Sequence, residues 1–462
     1  MKYHNQKVAD INIAYIGGGS RLWAWKLMSD LALEASLAGQ VNLYDLDWQA
    51  AVENEAFGNL LSQRPAATGK WRYQAVPTLK EALTGADLII ISIQPGTFAE
   101  MAVDLELPKQ YGIYQAVGDT VGPGGLIRSL RTIPIYVEFA ENIRQYAPHA
   151  WVINYTNPMT ICIRTLYKVF PGIKAFGCCH EVFGTQDLLA AMLVEMQIAA
   201  AVRREEIKTN VLGINHFTWI NQASYQGMDL LPLFKEFALQ HYDEGYRILG
   251  DAVWDATPFH FAHRVKFDLF LRYGIIAAAG DRHLAEFLPP WYLKDPETVK
   301  QWKFNLTTVA YRSERMKAWD RQRQRVIAGE EEYPLQPSGE EGVKQFKALA
   351  GLADLVTNLN LPNHGQMEGM PHDAVVETNA YLTNNAVRPV SAGFLSTPVQ
   401  ALVMRHVYNQ ETILEAGLKK DPELAFRAFI NDPLVTITLP DARQLFEQML
   451  QKTKTYLPGW NF

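Results

Sequence analysis

The stretch INIAYIGGGSRLWAWKLMSDLALEA (residues 11–35) narrows what this chain can fold into more than any other. An apolar run enters Gly17-Gly18-Gly19-Ser20, and an amphipathic stretch follows with Leu22, Trp25, Met28, Leu31 and Leu33 roughly on one side. Strand, glycine turn and helix in that order predict the opening of a crossover unit. QVNLYDLD (40–47), ADLIIISIQPG (86–96), AWVINYTNPM (150–159) and IKAFGCC (173–179) read as further strands. The unbroken isoleucines of the 86–96 stretch suit a sheet covered on both faces. Strands alternating with helical stretches predict a doubly wound parallel sheet of the Rossmann-like kind.

A chain of 462 residues is long enough for two domains. From about residue 195 the strand signal weakens and long helical patterns such as PVQALVMRHVYNQETILEAGL (398–418) take over. The expected division is a nucleotide-binding domain over 1–195 and a helix-rich α+β domain over 196–462. The net charge of −6 argues against nucleic acid or an anionic membrane as partner. No apolar run reaches the roughly 18 residues that span a bilayer, and the amino terminus lacks a secretory pattern. Three cysteines in this length fit a reducing compartment, so a cytoplasmic protein is expected.

Glycines after a strand let the backbone approach a pyrophosphate seated at the following helix N-terminus. Gly17, Gly18, Gly19 and Ser20 are therefore candidates for binding NAD. Asp45, 28 residues after Gly17 at the end of the second strand, would hydrogen-bond the ribose hydroxyls and repel a 2′-phosphate. Leu22 stands where the fingerprint has its third glycine, which predicts a more open helix–strand contact. Asn154 and Asn157 follow a later strand, where amides could reach sugar hydroxyls or simply shape a turn.

Cys178, Cys179, His180 and Glu181 stand together just past another strand. Cys179 and His216, the latter in VLGINHFTWI (211–220), are either two ligands of a divalent transition ion or a buried thiol and a hydrogen-bonded core histidine.

The glycine turn, GDTVGPGG (118–125), NYTNP (154–158), CHEV (179–182), GINHF (213–217) and LPNHGQMEGMPHDAVVE (361–377) occur in an order similar to that of glycoside hydrolase family 4. That resemblance implies a lactate/malate dehydrogenase-like fold, NAD and a divalent metal, expected to be Mn²⁺. The tetrapeptide Cys-His-Glu-Val resembles the family's α-galacturonidase version. Carried over, the resemblance makes Cys179 and His216 the metal ligands. It also places Asn157 and Asn154 at the sugar, Asp119 beside substrate and nicotinamide, and His180 and Glu181 at the substrate. Cys178 matches no ligand position and is expected to pack.

The implied chemistry departs from the paired-carboxylate route of ordinary glycosidases. Oxidation at C3 acidifies the C2 proton, a base removes it, the C1–O bond breaks by elimination, water adds, and the hydride returns. Asp281 is the expected base, with His283 next. Arg128 and Arg282 are candidates to pair with a uronic carboxylate, and Glu181 is expected to hold an arginine or support the metal. Relatives of this kind imply a homodimer or homotetramer. Two other readings fit the same turn: another α-glycosidase of the family (an α-galactosidase or α-glucosidase), or an NAD-dependent 2-hydroxy-acid dehydrogenase.

Overall fold

The computed structural model describes residues 1–462. Six parallel strands form the heart of the larger sheet, in the spatial order Lys70–Ala75, Leu37–Tyr44, Lys7–Ile16, Leu88–Ile91, Trp151–Asn154, Lys174–Gly177. This is the doubly wound order expected from the sequence. The chain reverses its direction of travel between Lys7–Ile16 and Leu88–Ile91, and such a switch point opens a crevice at the carboxyl ends of the strands. Leu88–Ile91 is buried throughout, because helices cover both faces. The Trp23–Leu33 helix contributes by burying Trp25, Met28 and Leu31, each such side chain adding about 1.5–3 kcal/mol.

The sheet runs on across residue 195. Leu355–Pro362, Val375–Thr383 and Ala386–Pro389 add antiparallel strands, joined to Lys174–Gly177 through the Asn360–Gly177 pair. A second, antiparallel sheet of four strands contains the hairpin Lys208–Ile214 and Phe217–Tyr225. The later half of the chain is thus richer in strands than its weak strand signal suggests. The reason is visible at Thr357, Asn358, Asn360, Glu377 and Thr378, all buried within strands. Polar residues at buried strand positions erase the hydrophobic alternation on which sequence reading depends.

Helices Thr397–Lys419, Pro422–Asn431 and Leu439–Thr453 pack against the long Gly122–Tyr146 helix. Asp432 Oδ2 accepts the Gly122 N–H at 2.9 Å, closing that helix's N-terminus from outside the element. No helix is long and apolar enough to cross a membrane.

Candidate active site

The glycine turn is built for close approach. Gly17 has φ +93°, and a side chain there would collide with the Ser92 carbonyl. Gly17 and Gly18 both donate to the Tyr44 carbonyl at 2.9 Å. Asn54 Nδ2 donates to the carbonyls of Gly18 at 2.8 Å and Ser20 at 2.9 Å. Asp45 Oδ2 accepts the Gly19 N–H at 2.8 Å, so the acid expected at the ribose lies directly against the turn. Leu22, the N-cap residue of the Trp23–Leu33 helix, supplies no side-chain cap, and the Ser20 hydroxyl accepts the Trp23 N–H at 3.2 Å in its place.

Farther along the same edge, the loop before Gly122–Tyr146 supplies Asp119 and the hairpin of the second sheet supplies His216. His216 sits in a two-residue turn with φ +64°, a left-handed conformation that costs a side-chain-bearing residue about 1–2 kcal/mol. His283 comes from the short Asp281–Glu286 helix. Donor atoms of Asp119, His216 and His283 all lie within 4.8 Å of one another. The two imidazole centroids are 3.8 Å apart. Thr120 Oγ1 donates to Asp119 Oδ1 at 2.8 Å and is 2.9 Å from His216 Nδ1. Asn157 Nδ2 points at Asp119 Oδ2 from 3.5 Å, and Arg128 Nε donates to the Asn157 carbonyl at 3.0 Å. Nδ1 of His283 and Oδ1 of Asn157 are buried without a partner.

Burial, and for His283 its neighbour His216, push both imidazoles down, His283 to about 3. Both are therefore neutral at neutral pH and present lone pairs. Burial alone would raise Asp119, but the adjacent histidines, Arg128 and the Thr120 hydroxyl hold it well below the usual carboxylate range. The imidazoles act on it only when protonated, so with both neutral the lowering is smaller and comes from Arg128 and the Thr120 hydroxyl. An ionised carboxylate beside two neutral imidazoles, with unpartnered polar atoms around them, fits a divalent transition ion.

Cys179, 8% exposed, stands outside this triad. Burial, Glu377 and Glu181 raise its thiol well above the usual range, with Asn215 in hydrogen-bonding reach. Cys178 packs in the core as expected, accepting from Gln345 Nε2 at 3.1 Å.

Four of the expected site residues have their own partners within the chain. Asp281, fully buried, is not among the triad: its Oδ1 accepts the Lys266 N–H at 3.1 Å. It thereby caps the start of the Arg264–Tyr273 helix, a structural use of its charge. Glu181 holds no arginine, which leaves the other expected role, support of the metal site. Its Oε2 accepts the Gly280 N–H at 2.6 Å and its Oε1 lies 3.5 Å from His283 Nε2. His180 is half exposed, stacks on Trp23 at 5.8 Å and lies 3.6 Å from Glu340. Arg282 is buried as an ion without a carboxylate, donating to Ala116 O at 3.3 Å and to Thr307.

Sequence reading missed Glu286. Its Oε1 accepts the N–H groups of Val117 at 2.7 Å and Gly118 at 2.9 Å, fixing the loop that carries Asp119. Burial is the main force pushing this acid from 4.5 to about 8. The stability it contributes is complete below the ordinary carboxyl range and is lost as pH rises through 8. Between pH 5 and 9 the wild-type unfolding temperature should fall relative to Glu286→Gln by about 1–3 °C. Parallel curves in thermal melts would refute this.

Comparison with known proteins follows the same lines. The family model described as family 4 glycosyl hydrolase matches residues 12–195, and that of the family 4 glycosyl hydrolase C-terminal domain matches residues 211–435. An α-galacturonidase of Thermoanaerobacterium saccharolyticum is 60% identical over 461 residues, covering 100% of this chain and 99% of that one. The crystal structure of a Bacillus subtilis glucosidase-like protein superposes with TM-score 0.92 at 55% identity, covering 96% of this chain and 100% of the other. A 6-phospho-α-glucosidase from gut microorganisms, solved with NAD and Mn²⁺, shares the fold with TM-score 0.81 at 21% identity, over 98% of this chain and 100% of that one.

Proposed function

The chain belongs to the family 4 glycosyl hydrolases, and from that premise we propose that it hydrolyses α-galacturonides with the help of NAD and a divalent cation, Mn²⁺ being the expected one. The observation that carries this reading is the convergence of Asp119, His216 and His283 on the strand edge that also carries the glycine turn. The substrate class rests on 60% identity to an α-galacturonidase across the whole chain.

When bound, the dinucleotide supplies reversible hydride acceptance and the cation supplies Lewis acidity toward neighbouring sugar hydroxyls. Gly17, Gly18, Gly19 and Ser20 admit the pyrophosphate, and Asp45 faces the ribose. His216 and Asp119 would hold the cation, and Cys179, which stands outside their cluster, is the further ligand that the family resemblance implies, its thiol having to lose its proton to bind a cation. Asn157, with Asn154 behind it, orients the sugar: Asn154 Nδ2 donates to the Thr156 carbonyl at 2.9 Å and stiffens the turn. His283 takes the C2 proton in place of Asp281. Glu181 beside Nε2 favours the tautomer protonated there, which leaves the unpartnered Nδ1 with the lone pair. Arg128 lies beside Asp119 and Asn157, where a carboxylated sugar would meet it. The same reading makes the protein a cytoplasmic homodimer or homotetramer.

The test is nitrophenol release from a nitrophenyl α-galacturonide. Release is expected only when NAD⁺ and Mn²⁺ are both present under reducing conditions, with no net NADH. Steady NADH accumulation would point to a dehydrogenase instead. Asp45→Asn should weaken NAD⁺ binding about tenfold, the value of one hydrogen bond to a charged group, with cation binding unchanged by calorimetry. Equal affinity in the variant would remove Asp45 from the ribose.

A further inference from the structure

The helix Val309–Ile327 has an unusual relation to the rest of the molecule: of its nineteen residues only Arg323 and Val326 are buried. Beyond Val326 and Trp319, which reach the core, it is held by polar and charged contacts, through Arg323 to Glu53 and Asn54 and through Asp320 to Arg21 at 2.8 Å. Those contacts lie at the glycine-turn end. At the other end Arg312 and Arg315, three residues apart and so on one face, reach Phe259. The Arg312 guanidinium carbon is 5.7 Å from the ring centroid, that of Arg315 is 4.8 Å away, and that of Arg282 is 5.0 Å away.

Three guanidinium groups around one phenyl ring repel one another, and no carboxylate of the chain forms an ion pair with any of them. Arg312 and Arg315 make no hydrogen bond and no ion pair, and Arg282 bonds only to the Ala116 carbonyl and the Thr307 hydroxyl. The Nε atoms of Arg282 and Arg312 are buried without partners. Of the other buried arginines, Arg131 pairs with Asp104 and Arg323 with Glu53, while Arg128, at the triad itself, bonds only to the Asn157 carbonyl. Cations left unpaired in a half-buried crevice are costly unless a ligand supplies the anion. Asp119 and Glu286 bear on Arg312 electrostatically but do not bond to it, which sets the cluster beside the triad rather than apart from it.

We infer that Arg282, Arg312 and Arg315 form a carboxylate-binding subsite that selects uronic acids over neutral sugars. This deepens the proposed function and rests on it for the identity of the sugar. The planar fork of each guanidinium matches a carboxylate in a two-bond arrangement, and the Phe259 ring, with the three groups packed over it, holds them close together. The carboxylate belongs either to the sugar whose bond is cleaved or to the sugar that leaves.

The experiment uses full-length protein loaded with NAD⁺ and Mn²⁺ and compares wild type with Arg312→Gln, Arg315→Gln and Arg312→Lys. Calorimetry with free galacturonate and with galactose is read first. Wild type should prefer galacturonate at least tenfold, and both glutamine variants should lose that preference while NAD⁺ affinity and unfolding temperature stay constant. Arg312→Lys, which keeps charge but not the fork, should recover part of it. Turnover then separates the sources. A tenfold rise in KM for both nitrophenyl α-galacturonide and digalacturonate places the carboxylate on the cleaved sugar, whereas a rise for digalacturonate alone places it on the leaving sugar. An unchanged galacturonate preference in both glutamine variants, or none in wild type, overturns the inference. A wild type that binds galacturonate through these arginines yet cleaves no galacturonide sinks the proposed function and leaves the subsite standing.

Discussion

Replacing His216 with asparagine is expected to lower kcat/KM for an α-galacturonide by about a thousandfold, the scale on which loss of one group stabilising developing charge is felt. Asparagine is the informative replacement because His216 sits at φ +64°. Alanine there would add backbone strain to chemical loss, while asparagine tolerates the left-handed region. The ring also abuts His283 at 3.8 Å and contacts Thr120 at 2.9 Å, so its removal disturbs both the donor set and the proton-accepting imidazole. Bound Mn²⁺ measured by atomic absorption should fall in parallel, and the melting temperature should not. Full metal occupancy with full activity would remove His216 from the site.

The largest effect on stability is expected far from the chemistry, at Asp104. Its carboxylate faces Arg131 in a two-bond pair, Nη1 to Oδ1 at 2.9 Å, and both side chains are 1% exposed. Arg131 Nε also donates to the Pro95 carbonyl at 3.1 Å, so the pair ties the Phe98–Lys109 and Gly122–Tyr146 helices to the loop after the Leu88–Ile91 strand. Asp104→Ala leaves a buried guanidinium uncompensated and should cost about 3–5 kcal/mol in denaturant unfolding. Asp104→Leu combined with Arg131→Met should recover most of that loss, because a pair of charges replaced by packed apolar groups no longer needs desolvation. If the double variant is as unstable as the single one, shape rather than charge holds these helices.

Much of this molecule could be read from residue order. Doubly wound topology follows from INIAYIGGGS and the strands after it because hydrophobic period and glycine placement are local properties. Gly17, Asp45 and Asn157 lie at strand ends, where the same local rules place them. The roles expected of His216 and Cys179 came from the family resemblance of GINHF and CHEV, since their spacing alone left a core histidine and a buried thiol open. The role of Asp281 was not legible, since proximity in sequence to His283 says nothing of which way a short helix turns each side chain. Asp281 points back to cap Arg264–Tyr273 while His283 points to His216.

The arginines show the same divide more sharply. Arg312 and Arg315 lie in VAYRSERMKAWDRQRQRVI, which by itself reads as an ordinary solvent-facing charged helix. Only the folded chain sets them against Phe259 and Arg282, residues brought near by the crossing of separate segments. Likewise the strands Leu355–Pro362 and Val375–Thr383 join the first sheet although their buried asparagines, threonines and Glu377 hide them from any hydrophobic pattern. The sequence by itself determined the parallel sheet, its glycine turn and the family of the site, because each is written in neighbouring residues. Tertiary structure alone decided which acids are sealed, which imidazoles meet and which cations stay unpaired, because those outcomes depend on long-range packing that excludes water from some charges and not others.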